Sequence, residues 1–155
     1  MRNRWARLRL VCCVACSMMA GCGVLRSQRV VSSTHGMPAI RPISCGSAGQ
    51  APQRAFEFTA PGDGYYAFES RTRDYDGVLA IWDPNGQELG CNDDAGSTRR
   101  SRIDLLLVEG QTVEIIQGGY SGAAGTFELQ VRTGDDVGGE LRIEPLGQGS
   151  YVLTQ

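Results

Sequence analysis

A chain of 155 residues, 41% of them apolar, has room for one modest domain and no second one. Its net charge of -2 hides a gradient, because Arg2, Arg4, Arg7, Arg9, Arg26, Arg29 and Arg41 all precede the first acidic residue, Glu57, whereas from Arg54 onward 8 arginines face 17 acids. That balance argues against a phosphate-binding surface, so no nucleic-acid partner is expected.

The chain starts "MRNRWARLRLVCCVACSMMAGC": a basic head, an apolar run over residues 10–20, then small residues before Cys22. Eleven residues fall short of the roughly 20 that a membrane-crossing helix needs, but they suit the central region of a secretory signal. Residues 1–21 are therefore expected to be a signal peptide. Met19-Ala20-Gly21-Cys22 resembles the bacterial lipobox, in which the cysteine is lipidated and becomes the mature N-terminus; the departure is Met19, where leucine is usual. The resemblance implies a protein held in the bacterial cell envelope by acyl chains on Cys22, on the outer or the inner membrane. The competing reading is an ordinary signal peptide cut nearby.

Six cysteines, less Cys12, Cys13 and Cys16 in the apolar run and Cys22 at the lipobox, leave Cys45 and Cys91. In an oxidising exported setting their simplest fate is one disulfide, the alternative being two buried thiols. The stretch 22–44 carries prolines and serines with no sustained period and reads as a lipid-anchored flexible tether. The only histidine, His35, falls in it and is expected to be solvated.

From Arg54 short strands alternate with turns. "RAFEFTA" sets Phe56 and Phe58 on one face, and "PGDG" breaks it before "YYAFES". "DGVLAIWD" is nearly continuous in apolar character, as a strand covered on both sides would be, and Trp82 within it is expected in the core. "DPNG" supplies the proline and glycine of a tight hairpin leading into "QELGCN". "SRIDLLLV" and "TVEIIQG" flank a second turn, and "TFELQV" alternates strictly. No helical period appears outside the signal. The expected fold is all-β, an antiparallel jelly-roll-like β-sandwich over 45–133, with 134–155 as a C-terminal hairpin or tail.

Taken in order, "FTAPGDGYYAFES", "YDGVLAIWDPNGQELGCNDD" and "IDLLLVEGQTVEIIQGGYSGAAGTFELQV" resemble the bacterial pre-peptidase C-terminal domain, a jelly-roll-like sandwich often appended to secreted proteases. The resemblance covers about 54–132. It implies a non-catalytic accessory domain, of a kind that in some relatives binds calcium or matrix proteins. No protease accompanies it in this sequence, so the role of a processed appendage does not carry over.

Asp74 and Asp76 precede one strand, while Asn92, Asp93 and Asp94 leave its hairpin partner, which places both acidic loops at one end of the sandwich. Calcium takes six to eight oxygen ligands, so these five residues are a candidate metal site, against the alternative of Asx-turns bonding their own backbone. Tyr75 and Tyr120 lie in predicted loops and are the candidate ligand-binding rings, against the alternative of ordinary turn packing.

Catalytic constellations are not expected. The adjacent aspartates lack a paired-carboxylate cleft, and "GGYSGAAG" lacks the Gly-x-Ser-x-Gly spacing and a partner histidine. A zinc site would be short of ligands. The expected function is therefore non-enzymatic: adhesion or binding of an envelope protein or polysaccharide, with calcium as a candidate cofactor. The rival is a structural envelope component that assembles with a larger partner.

Overall fold

The computed structural model describes residues 26–46, 50–94, 99–135 and 137–147, and the backbone of 152–154. The expected signal peptide and Cys22 lie outside the described residues.

Ten strands follow in chain order: β1 (Arg26–Ser33), β2 (Arg54–Thr59), β3 (Gly64–Thr72), β4 (Gly77–Trp82), β5 (Glu88–Asn92), β6 (Arg100–Leu107), β7 (Thr112–Gly119), β8 (Thr126–Thr133), β9 (Ile143–Leu146) and β10 (Val152–Thr154). They form two antiparallel sheets, one in the order β10-β1-β8-β3-β6 and the other β5-β4-β7-β2-β9, packed as a sandwich. All seven strands expected from the alternation are present.

The alternation decides which side chains meet. In β3, Tyr66 and Phe68 point inward, and in β2 Phe56 and Phe58 do the same. Phe58 stacks edge-on against Phe68 at 5.4 Å and tilts against Tyr66 at 5.2 Å, while Phe56 meets Phe127 of β8 edge-on at 6.0 Å. These pairs cross from one sheet to the other and make a single core with Leu79, Ile81, Val113, Ile115, Leu129 and Val131.

Every connection between consecutive strands from β2 to β9 crosses between the sheets, except the β4–β5 hairpin. The sandwich therefore has two distinct ends. At one, the near end, lie the start of β1, the turns 60–63, 83–87 and 108–111, and residues 134–135 and 137–142; at the other, the far end, lie the end of β1 and residues 73–76, 93–94, 99 and 120–125.

The segment read as a flexible tether is part of the fold, which corrects both its role and the boundary at Cys45. Strand β1 pairs with β8 over its whole length, and Val30, opposite Leu129, is fully buried. Alternation in "RVVSS" was too short and too polar to single this strand out. After β1 the chain runs over the outer surface of the second sheet. Gln53, buried, fastens it there: its Oε1 accepts from the N–H groups of Ile40 (2.7 Å) and Arg41 (2.8 Å), and its Nε2 donates to Arg41 O (2.8 Å). Arg41 then pairs with Glu114 at 2.6 Å and lies 5.3 Å from the Trp82 ring. Trp82 consequently belongs to this outer layer, half-buried, and not to the central core.

The layer has its own small core, in which Ile43 covers Ala55, Val78, Ala80 and Ile116. The Cys45–Cys91 disulfide, with Cα atoms 6.0 Å apart, pins it to β5. Gly46 is needed next to the bridge: its φ is +63°, and a Cβ there would come within 2.6 Å of Val78 Cγ2.

The C-terminal region is neither a tail nor a hairpin. Strand β9 extends the second sheet alongside β2 and β10 extends the first alongside β1, so they end in opposite layers. The sandwich therefore begins at Arg26 and includes β10, beyond the 45–133 expected.

Candidate functional site at the far end of the sandwich

The two acidic loops do emerge at the same end, because β4 and β5 are hairpin partners with Leu79 opposite Asn92. Their side chains, however, face different neighbours. Asp74 Oδ1 lies beside Gly125 of the β7–β8 connection, and Asp93 packs beside Gly46. Asn92 Oδ1 accepts from Arg102 N of β6 at 3.3 Å, a bond from one sheet to the other. The Asp93 carbonyl accepts from Ser101 Oγ at 3.0 Å, and Asp94 is exposed. Among the described residues no group of three or more His, Cys, Asp or Glu side chains is placed to hold a metal ion. Of the five expected ligands, Asp76 has a side-chain oxygen, Oδ1, that is shielded from solvent and has no hydrogen-bond partner among the described residues.

Tyr75 is a correction. Expected as an exposed binding ring, it is only 5% exposed and belongs to the central core. Glycines allow this, since a Cβ on Gly125 would come within 2.4 Å of the ring, and one on Gly119 within 3.1 Å. Gln117 Nε2 donates to its hydroxyl at 3.1 Å. Burial pushes the phenol up to about 12, aided by the charge of Asp74, while hydrogen bonds with Gln117 and Thr34 pull the other way. Tyr120 is exposed, at 43%, on a single 3-10 turn (Tyr120–Gly122) whose backbone is fastened by Tyr120 N donating to Asp76 O at 2.8 Å.

A feature that the sequence reading missed stands at the same end. Met37, Pro38, Ile40, Gln53, Ala55 and Leu146 line a largely apolar cleft of about 390 Å³. Ile40 and Leu146 are exposed along it. No period reveals such a cleft, because its walls come from the wrapped segment and from β9, which is opposite β2 only in three dimensions.

The open face of the first sheet was missed as well. Glu69, nearly buried at its centre, accepts from Arg71 Nε at 2.8 Å and from an Arg132 terminal nitrogen at 2.5 Å. Burial alone would raise its carboxyl, but the Arg71 hydrogen bond and the charges of Arg71, Arg132 and Arg100 hold it below the usual glutamate range. The period-2 pattern Tyr65, Ala67, Glu69, Arg71 already put these side chains on one face. What brought Arg132 to Glu69 was the β3–β8 pairing, which no local pattern announces.

No family model and no curated protein matches this chain.

Proposed function

We propose that the protein is an exported, lipid-anchored β-sandwich that works by binding a ligand at the bacterial cell envelope. The order and spacing of its seven central strands, and the turns between them, support kinship with the pre-peptidase C-terminal domains. The observation that carries the binding reading is the apolar cleft at the end remote from Cys22, whose volume suits a side chain or one small ligand. Strand β1 starts at Arg26, four positions after Cys22, and its eight residues span roughly 26 Å. An upright sandwich would thus present the cleft and Tyr120 well clear of the lipid. Calcium would enter this reading through Asp76, whose Oδ1 is shielded from solvent and has no hydrogen-bond partner among the described residues.

Two measurements test it. Palmitate labelling should mark the wild-type chain and vanish in Cys22→Ala; persistent labelling of the variant ends the anchor assignment. Ile40→Glu and Leu146→Glu, both at exposed positions, should abolish capture of an envelope polysaccharide or protein that the wild type retains. Equal capture by wild type and both variants would remove the cleft from the function, and assembly of the chain into a fixed envelope complex would favour the structural alternative. For calcium, the wild type should melt at a higher temperature with the ion than without it, and Asp76→Asn should lose that difference.

A further inference from the structure

The outward side chains of the first sheet form an arginine-rich face on an otherwise acidic domain. Alternation places Arg29 on β1, Arg132 on β8, Arg71 on β3, and Arg100 and Arg102 on β6. Three acids share the face, and each is engaged: Glu69 by Arg71 and Arg132, Asp104 by Arg102 at 2.8 Å, and Glu128 by Arg29 at 3.7 Å. The opposite outer face carries Glu57 directly across from both Glu114 and Glu144, so the sandwich has a cationic and an anionic side.

The near end of the cationic face is also its apolar corner. Tyr65 and Leu106, cross-strand partners, are 66% and 63% exposed, and Val108, two residues further along, is 58% exposed. This corner is level with the start of β1, since Tyr66 and Arg26 both pair with Thr133. Four chain steps from Cys22 to Arg26 reach at most about 14 Å. Lipidation at Cys22 would therefore hold the corner at the bilayer surface. Of the neighbouring acids, Asp63 and Asp135 accept from the backbone N–H groups of Glu109 and Tyr65, at 2.7 and 2.6 Å, and Glu109, next to Val108, is exposed.

We propose that the outer face of the first sheet is a phospholipid-binding surface: the anchored domain tilts so that Tyr65, Leu106 and Val108 enter the interfacial layer and the arginines meet lipid phosphates. Exposed rings and aliphatic side chains beside basic residues are the composition of an interfacial seat, and arginine is suited to phosphate oxygens through its paired donors. The glutamate-bearing face then points away from the anionic surface. This inference rests on the lipid-anchor reading above, and it makes the sandwich lean on the membrane instead of standing free on a tether.

The test uses the full chain purified from bacterial membranes and reconstituted in vesicles of phosphatidylethanolamine and phosphatidylglycerol. A polarity-sensitive fluorophore is attached to Leu106→Cys or, on the opposite face, to Glu144→Cys; both positions are exposed. Position 106 should be blue-shifted and quenched by lipid-borne nitroxides, and position 144 should not. Arg100→Glu combined with Arg102→Glu should lower the quenching at 106 while the protein still floats with the vesicles. A protein that does not float sinks the anchor and the seat together. One that floats with position 106 as wet as 144 sinks the seat alone. Drying of 106 only after envelope protein is added would make the occupant a protein and overturn the lipid assignment.

Discussion

The two outer faces of the sandwich solve the same problem in opposite ways. The outer side of the second sheet is apolar near its far end, with Ala55, Val78, Ala80 and Ile116, and the chain covers it with its own residues 37–46 and 50–53, a buried Gln53 clip and a disulfide. The outer side of the first sheet has no such cover among the described residues. It is kept compatible with water by arginine–carboxylate pairs around Glu69, and only its near corner leaves large apolar groups exposed. A sheet face in this protein is thus either sealed covalently or left open and charged, and the open one is available for an external partner.

The sharpest way to break this contrast is to release the seal. Replacing Cys45 and Cys91 together with serine frees a loop of 46 positions, and should cost about 4 kcal/mol in denaturant unfolding by the chain-entropy relation. An unchanged midpoint would mean that the wrapped segment holds without its bridge. Next, Ile116→Ala empties a fully buried position beneath the wrapped segment. It should cost roughly 2–4 kcal/mol, as in a true core, even though Ile116 lies outside the central one.

The open face should respond to pH instead. Glu69 titrates lower in the folded chain than unfolded, so its contribution is fully present above the unfolded glutamate value of about 4.3 and is lost as pH falls through the folded one. Glu69→Gln should remove about 1–2 kcal/mol at neutral pH, a value discounted for the partial exposure of its arginine partners, and should flatten the acid limb of the stability profile. Wild-type and variant profiles that stay parallel below pH 5 would show that the pairing is incidental. The smallest effect sharpens the contrast from the other side. Glu57 faces Glu114 and Glu144 across both neighbouring strands, so Glu57→Gln should stabilise by roughly 0.2–1 kcal/mol at low salt, and less at high salt.

Much of the sandwich was legible because period-2 alternation is a local property. Phe56 and Phe58, and Phe127, Leu129 and Val131, announced their inward faces within five residues each, and the disulfide followed from a count of cysteines. What failed was where the signal is not local. Val30 is fully buried in a stretch with too few apolar neighbours to show a period. Tyr75 sits in a loop by sequence but in the core by position, because glycines at 119 and 125 open a space for its ring. The acidic loops were correctly placed at one end, yet shared position did not bring their carboxylates together. Asp74 lies beside Gly125 and Asp93 beside Gly46, on two different connections, and Asp94 is exposed.

By itself the sequence determined the class of fold, the inward faces of the strands at Phe56 and Phe127, and the identity of the bridged cysteines, since these follow from side-chain alternation and from composition. The tertiary structure decided which strands became neighbours, and through that everything at the surface. Arg132 meets Glu69, Leu146 walls a cleft with Ile40, and the supposed tether covers a sheet, because sheet order joins residues far apart in the chain. That order is set by how two faces pack together, a property no single segment carries.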